Sequence, residues 1–342
     1  MSIAIDLMER GLLPDSLVRF GIRRLCRQRL RDEDRGSPEA NTAAKKAFVE
    51  TLRSEPVAVH TDAANEQHYE VPAEFFRLSL GPRLKYSCCW WPEGVDSLAA
   101  AEEASLELVC RRAELADGME ILELGCGWGS LSLWMAERYP NSRILSVSNS
   151  ASQRAFIEAR RDELGLGNLE LLTADANDLR LDRSFHRAVS IEMFEHMRNY
   201  RTLLGRVAGW LKPGGKLFVH VFTHREFAYP YETEGEDNWM GRYFFTGGLM
   251  PSDDLLLQFQ DHVAIEEQWR IDGTHYQRTA EAWLAAMDRN RAAIMPVFEE
   301  TYGDEAGRWF QRWRVFYMAC AELWGFRGGS EWGVCHYRFV KS

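Results

Sequence analysis

The chain has no run of about 18 consecutive apolar residues, the length a helix needs to cross a bilayer, so no stable membrane insertion is expected. Cysteine is scarce and scattered: the seven residues at 26, 88, 89, 110, 126, 320 and 335 form no C-x-x-C pair. That odd set argues against a disulfide framework or a zinc site; the thiols read as reduced, and no metal is expected. Positive charge is in deficit, 41 Lys and Arg against 51 Asp and Glu, for a net charge of -10. Phosphate binding calls for a basic face, so nucleic acid is not the expected partner, and a cationic or neutral ligand suits the chain better. Met1 to Arg10 places no basic patch before a long apolar core and does not read as a secretory signal, so a cytoplasmic protein is expected.

What the chain does have is a glycine-rich turn. Met119 to Leu122 is apolar apart from Glu120, and Glu-Leu-Gly-Cys-Gly-Trp-Gly-Ser-Leu-Ser-Leu follows over residues 123–133. Glycines at 125, 127 and 129 permit positive φ and a close approach of ligand to backbone. A dinucleotide fingerprint would space its glycines 1-3-6 and add an acid about 20 residues later. Here the spacing is 1-3-5, and Arg143 to Ser148 runs into Asn149-Ser150 with no acid, which argues against NAD. The Glu123–Gly129 pattern, E-x-G-x-G-x-G, instead resembles motif I of the methyltransferases that use S-adenosyl-L-methionine (SAM), and the resemblance implies SAM as cofactor.

Residues 1–60 read as an N-terminal helical segment: Ser2–Arg10, a Pro14-Asp15 start into an arginine-rich run, then Asn41–Ser54. The run carries seven arginines between Arg19 and Arg35 and suits either an anionic surface or, as the better account, a solvated helix face with Phe20, Leu25 and Leu30 packed inward. Residues 61–118 form a second segment, covering the cofactor. It contains His68-Tyr69-Glu70, Phe75-Phe76 and Tyr86-Ser-Cys-Cys-Trp-Trp91, which Pro92 keeps from being a helix face, and a lead-in helix from Leu98 to Leu115. Strands and helices then alternate over 119–222. Strands are predicted at 119–124, 143–148, 169–173, 187–191 and 216–222, and helices at 128–138, 151–165 and 196–211. The alternation gives an α/β fold, a doubly wound sheet with its ligands beyond the carboxyl ends of the strands, and the resemblance of the glycine turn implies that it is the Rossmann-like sheet of the class I SAM-methyltransferases. Over 223–342 the alternation fails. A cap is expected there, with helices Ala280–Ala293, Ile294–Tyr302 and Asp304–Leu323 over the rim, and Val263–Arg270 and Trp332–Val340 completing the sheet. Five of twelve tryptophans fall in the last sixty residues, which points to an aromatic pocket.

In methyltransferases of this kind the glycine turn supports the methionine part of SAM, and Tyr86, Ser87 and Glu123 would bound it. Asn149 and Gln153 are placed for the ribose, and Asp175 for the adenine amino group. Asn149 has an alternative role as a helix cap, and Asp175 as a turn residue. The sharper signal is Ala188-Val-Ser-Ile191, which runs straight into Glu192-Met-Phe-Glu195-His196. Charges seldom follow a buried strand without purpose. A helix start that favours acids accounts for Glu195 but not for two carboxylates and a histidine. His220 and His224 lie four apart on a strand and its exit, where that spacing does not converge on a metal, and read as pocket or core residues. His275 and Tyr276 read equally as acceptor-pocket residues or a hydrogen-bonded loop pair.

His68-Tyr-Glu, Phe75-Phe76, Tyr86–Trp91, Glu123–Gly129, Asn149 to Gln153, Met193-Phe-Glu-His196 and Phe245-Thr-Gly-Gly248 with Pro251-Ser252 resemble the cyclopropane-fatty-acid-synthase superfamily. The similarity is strongest to its coclaurine, or tetrahydroisoquinoline, N-methyltransferase branch and spans nearly the whole chain, through Glu9-Arg-Gly-Leu-Leu-Pro-Asp15, Phe227–Glu232, Trp313–Phe316 and Glu331-Trp332. The resemblance implies methyl transfer from SAM to a small amine, with Glu195 and His196 as acid–base pair and Glu192 beside them. Cys88, His220, Phe222, Tyr229, His275, Tyr276 and Trp324 are the expected pocket residues. The superfamily's lipid branch offers the other reading, cyclopropanation or C-methylation of an unsaturated chain. That branch uses a bicarbonate held by Cys, Glu, His and Tyr; Cys88, Glu195 and His220 match three of these, while the register of Phe316-Tyr317 leaves the tyrosine open. Glu192 stands where the lipid enzymes usually carry glycine. A SAM-binding regulator without catalysis would lack the acceptor-site carboxylates. The expected partner is a small-molecule amine, with a homodimer left open.

Overall fold

The computed structural model describes residues 3–59, 71–235 and 238–342. His68-Tyr69-Glu70, Ser2 of the first helix and Glu236-Asp237 of the cap lie outside the described residues. The strands in chain order are β1 (Glu120–Leu124), β2 (Arg143–Ser148), β3 (Leu169–Thr173), β4 (Phe185–Ile191), β5 (Leu211–His224), β6 (Tyr229–Pro230), β7 (Leu249–Met250), β8 (Val263–Asp272) and β9 (Trp332–Lys341). The helices are α1 (Ile3–Glu9), α2 (Asp15–Glu33), α3 (Pro38–Ser54), α4 (Ala73–Ser79), α5 (Leu98–Arg112), α6 (Ser130–Arg138), α7 (Ala151–Glu163), α8 (Tyr200–Trp210), α9 (Trp239–Tyr243), α10 (Gly273–Arg289), α11 (Arg291–Tyr302) and α12 (Ala306–Trp324).

Seven strands form one sheet in the order β3-β2-β1-β4-β5-β9-β8. The first five are parallel, and β9 runs antiparallel between β5 and β8. The expected completion of the sheet by the C-terminal strands is thus observed. Because successive side chains in a strand face opposite ways, Ile121 enters the layer with Leu106, Met135 and Ile157, while Leu122 and Leu124 enter the layer with Leu52, Leu204 and Val207. Both faces are covered, as a parallel sheet requires. The carboxyl ends of β1 to β5 are left as a common rim, and a third apolar cluster built from α2, α4 and α10 to α12 closes over it.

Three local departures from the sequence reading matter for the site. The helix expected at 196 starts at Tyr200, capped by Asn199, whose side chain accepts from the Thr202 N–H. Phe194–His196 form instead a separate single 3-10 turn. The helix expected at 280 starts at Gly273, capped by Asp272, where a Cβ would lie 2.1 Å from the Trp324 carbonyl oxygen. That start places His275 and Tyr276 on the first turn of α10, not in a loop. Finally, Phe20 and Leu25 of α2 are exposed; Val18 and Cys26 are buried in their place, and only Leu30 of the expected trio packs on the body. The arginine face is also engaged: Arg19 pairs with Glu281 and Glu322, and Arg23 with Glu322. Among the described residues, no helix is long and apolar enough to cross a membrane.

The cap core centres on Phe75, fully buried and in ring contact with Phe76, Phe298 and Trp313. Phe75→Ala is expected to lower unfolding free energy by about 3–5 kcal/mol in urea titration, as for other large aromatic truncations; a loss below about 1 kcal/mol would show that the cap does not fold as one unit with the sheet.

Candidate active site

A cavity of about 1200 Å³ runs over the rim, from the glycine turn after β1 to the inner face of α2. Its cofactor-facing end is shaped by backbone. Gly125 and Gly129 both have φ near +80°, and a Cβ would reach 2.8 Å from Met193 and from Ile157 respectively. Gly127 (φ +51°) has nothing within 4 Å of its Cβ position and faces the cavity. Beneath the turn, Glu123 is buried and accepts hydrogen bonds from Ser132 Oγ and Ser146 Oγ (the latter 2.7 Å); burial pushes its carboxyl up to about 7.

After β2 the helix cap is Ser150, whose Oγ accepts from the Gln153 N–H. Asn149, relieved of that role, lines the cavity. Gln153 accepts from Ser148 Oγ, and its Nε2 is buried at the cavity without a hydrogen-bond partner. Ser130 Oγ and Trp128 Nε1 are in the same condition. After β3, Ala174 and Ala176 line the cavity while Asp175 between them does not: its Oδ1 accepts from the Asn177 N–H, closing a turn. Tyr86 and Ser87 line it from the strap before α5, Tyr86 packed between Phe76 and Trp283.

At the other end, Ile191 of β4 leads into Glu192, whose backbone is left-handed (φ 45°), a conformation costing about 1–3 kcal/mol in a non-glycine residue. Its surroundings hold it there. Glu192 N–H donates to the His220 carbonyl (2.8 Å). Its carboxylate accepts from Cys88 N–H (2.9 Å), His220 Nε2 (3.1 Å) and Tyr276 OH (2.7 Å). Lys85, itself buried, lies behind, donating to Ser87 Oγ (2.6 Å) and the Cys88 carbonyl (2.5 Å). Burial raises the Glu192 carboxyl, and Lys85, the Cys88 N–H and the Tyr276 hydroxyl offset part of that rise.

Glu195 is the contrast. It is 1 % exposed, lines the cavity, and its Oε2 has no hydrogen-bond partner among the described residues. Burial, and then the nearby Glu192 charge, push its carboxyl well above the usual range. His196 follows on the same turn, lines the cavity and packs against Phe245. Glu195 does not sit at an α-helix N-terminus, so the reading that a helix start explains this acid does not apply.

Of the expected pocket residues, Phe222, Tyr229, Tyr276 and Trp324 line the cavity, Tyr276 stacked on Trp324 at 4.7 Å. Cys88 and His220 do not; they are buried behind Glu192 and bonded to it. His275 points away, its Nδ1 accepting from the Trp91 N–H and its ring stacked on Trp90. The expected pair is therefore split, because neighbouring helical residues point 100° apart. Tyr317, left open in the sequence, bonds Ser79 in the cap core (3.3 Å), and the tyrosine beside the carboxylates is Tyr276. His224 is core, accepting from the Glu226 and Phe227 N–H groups. Sequence reasoning did not assign Lys85, Tyr231, Phe245 and Trp283 to the cavity they line. Trp283 was legible: it lies seven residues after Tyr276, two turns along one helix face.

A family model described as mycolic acid cyclopropane synthetase matches residues 58–330. The chain is 38 % identical over 339 residues to the (S)-coclaurine N-methyltransferase of Thalictrum flavum subsp. glaucum, covering 98 % of this chain and 94 % of that one. It is 30 % identical over 280 residues to the cyclopropane-fatty-acyl-phospholipid synthase of Escherichia coli (strain K12), covering 81 % and 68 %. The crystal structure of a coclaurine N-methyltransferase bound to N-methylheliamine and SAH superposes with a TM-score of 0.96 at 35 % identity, covering 99 % of both chains. A rim cavity over a glycine turn, buried carboxylates after β4 and this likeness along the whole chain agree: the protein belongs to the mycolic acid cyclopropane synthetase family and is a SAM-dependent methyltransferase.

Proposed function

We propose that the chain methylates the nitrogen of a small amine of the tetrahydroisoquinoline kind, with Glu195 and His196 handling the proton. The observation that carries this reading is Glu195 Oε2, a buried carboxylate oxygen with no hydrogen-bond partner among the described residues, facing a cavity walled by aromatic rings beside a second carboxylate. The coclaurine N-methyltransferase complex with N-methylheliamine supports an amine acceptor.

The residues at the other end fit SAM. Gln153 Nε2, Ser130 Oγ and Trp128 Nε1 are buried donors awaiting an acceptor, and Gly127 leaves room for a ligand against the backbone. The glycine turn with Tyr86, Ser87 and Glu123 would hold the methionine part, and Asn149 and Gln153 the ribose. Asp175 would reach the adenine only with the oxygen not used in its turn. When bound, SAM supplies an electrophilic sulfonium methyl.

An aliphatic amine arrives protonated and cannot attack until it loses that proton. Glu195, made more basic by burial, accepts it, and His196 offers the next site for its exit. Glu192 adds a fixed negative charge, and the rings of Phe222, Tyr276 and Trp324 hold the flat body of the amine and favour its cation. With SAM held at the other end of the cavity, the freed lone pair would face its sulfonium methyl, and much of the acceleration would come from these residues holding the two reactants in line. A lipid acceptor is less well served. The Cys88, His220 and Tyr276 donors that would hold a bicarbonate already converge on the chain's own Glu192 carboxylate.

Incubation with labelled SAM, a tetrahydroisoquinoline panel and unsaturated phospholipid vesicles is expected to label the amines; label in phospholipid alone would overturn the reading. Glu195→Gln is expected to lower turnover about 10²-fold or more while SAM affinity by calorimetry holds, and a matching loss of SAM affinity would contradict the role. Because the folded-state carboxyl is raised, the native fold binds more protons than the unfolded chain from about pH 4.5 up to the raised value, so Glu195 costs stability as pH rises through that window. Glu195→Gln should therefore melt above the native protein at pH 8, with the gap closing near pH 4; a lower melting temperature at pH 8 would count against this.

A further inference from the structure

Behind Glu192 a line of hydrogen bonds runs along one face of the sheet, from the rim across β5 and β9 to the end of α5. His220 Nε2 contacts Glu192 Oε1 at 3.1 Å, His220 Nδ1 contacts His336 Nε2 at 2.9 Å, and His336 Nδ1 contacts the Arg112 guanidinium at 2.8 Å. His220 on β5 and His336 on β9 are direct cross-strand partners. Both rings are buried, and Arg112, the last residue of α5, is half-buried with its guanidinium over the Trp269 ring.

The line has a defined direction. A guanidinium only donates, so His336 Nδ1 accepts and its proton sits on Nε2. That proton is given to His220 Nδ1, which leaves the His220 proton on Nε2, aimed at Glu192. We propose that Arg112 and His336 are positioning residues that, through this oriented chain, lock His220 in its Nε2–H form and thereby hold a fixed donor on Glu192. Which ring nitrogen of a histidine carries the proton is set by the bond its other nitrogen makes, and here an arginine two rings away makes that choice. The line does not carry a proton out, because it ends on a group that cannot accept one. The surrounding charges agree: burial, together with Lys85 and Arg112, holds both histidines well below the ordinary range, so they stay neutral. This inference rests on the reading of Glu192 as a working part of the amine site.

The groups facing Glu192 are Lys85 and the Cys88 N–H on the strap, Glu195 on the 3-10 turn, Tyr276 on α10, Cys320 on α12 and His220 on β5. Arg111 and Glu267 lie around Arg112. Of these, His220 connects Glu192 to Arg112 at the end of α5 through the three bonds described.

Two measurements test the inference. Nitrogen-15 correlation spectra of the histidine rings, taken without substrate between pH 6 and 8, should show His220 and His336 neutral and protonated on Nε2. A Nδ1–H or doubly protonated His220 would overturn the proposal, whether or not any amine is methylated. In Arg112→Met, His220 should lose its single protonated form. The acidic limb of kcat/KM should also move to higher pH, since a carboxylate that loses a donor holds its proton longer, with kcat/KM near neutrality down about 10-fold. Arg112→Lys should restore much of both. An unchanged spectrum and pH profile in Arg112→Met would overturn the proposal. A native enzyme that methylates no amine would instead overturn the proposed function, and the spectra would still decide the line of bonds.

Discussion

Withdrawal of two carboxylates from water at one strand end is the constraint around which the rest of this molecule is arranged. An ionised carboxylate in an apolar interior is unfavourable unless donors replace its water. Glu192 has them: a backbone N–H, a histidine, a tyrosine and a nearby lysine. Glu195 lacks a partner at one oxygen, and the same burial that steadies its neighbour leaves it basic and exposed only to the cavity. Burial therefore acts on two equal side chains unequally, its effect partly offset by donors at Glu192 and reinforced by the neighbouring carboxylate at Glu195.

The dryness that makes this possible comes from the cap. α2 is tied to α10 and α12 by Arg19 with Glu281 and Glu322, and α1 by Glu9, fully buried, which accepts from Arg312 (2.8 Å) and from Trp239 Nε1 (2.9 Å). A buried ion pair of this kind adds little net stability, but removal of one partner strands the other. It serves to hold the first helix in one place over the rim. Glu9, Arg312 and Trp239 lie in three distant parts of the sequence, and their joining closes one side of the acceptor cavity.

Much of the fold was legible. The β2 and β3 boundaries read from hydrophobic pattern agree with the structure, and the glycine turn falls between β1 and α6 at the edge of the cavity, because strands and tight turns are dictated by near neighbours. Helix starts were less legible: α8 and α10 begin where Asn199 and Asp272 cap them, and the apolar period alone placed one start too early and the other too late. The site was read in part. Glu192, Glu195 and His196 stood out because charge after a buried strand is unusual, whereas Lys85 was passed over beside Tyr86 and Ser87, although a charge amid aromatics and thiols is the same kind of signal. Phe20 and Leu25 looked like packing residues on an arginine helix and are exposed, since which stripe of α2 faces inward was decided by the ion pairs it makes with α10 and α12.

By itself the sequence determined the alternating α/β core, the rim on which ligands lie, the glycine turn and the pair of acids after β4. All of these follow from periodicity, backbone freedom and the cost of burying charge within a few residues. Only the tertiary structure decided that Tyr276 and not Tyr317 meets the carboxylates, that His275 turns away, that Cys88 and His220 stand behind Glu192 instead of facing the cavity, and that Arg112 reaches Glu192 through two histidines. Those outcomes depend on which side chains meet across segments as much as 224 residues apart, and contact at that range is set by packing, which no local pattern records.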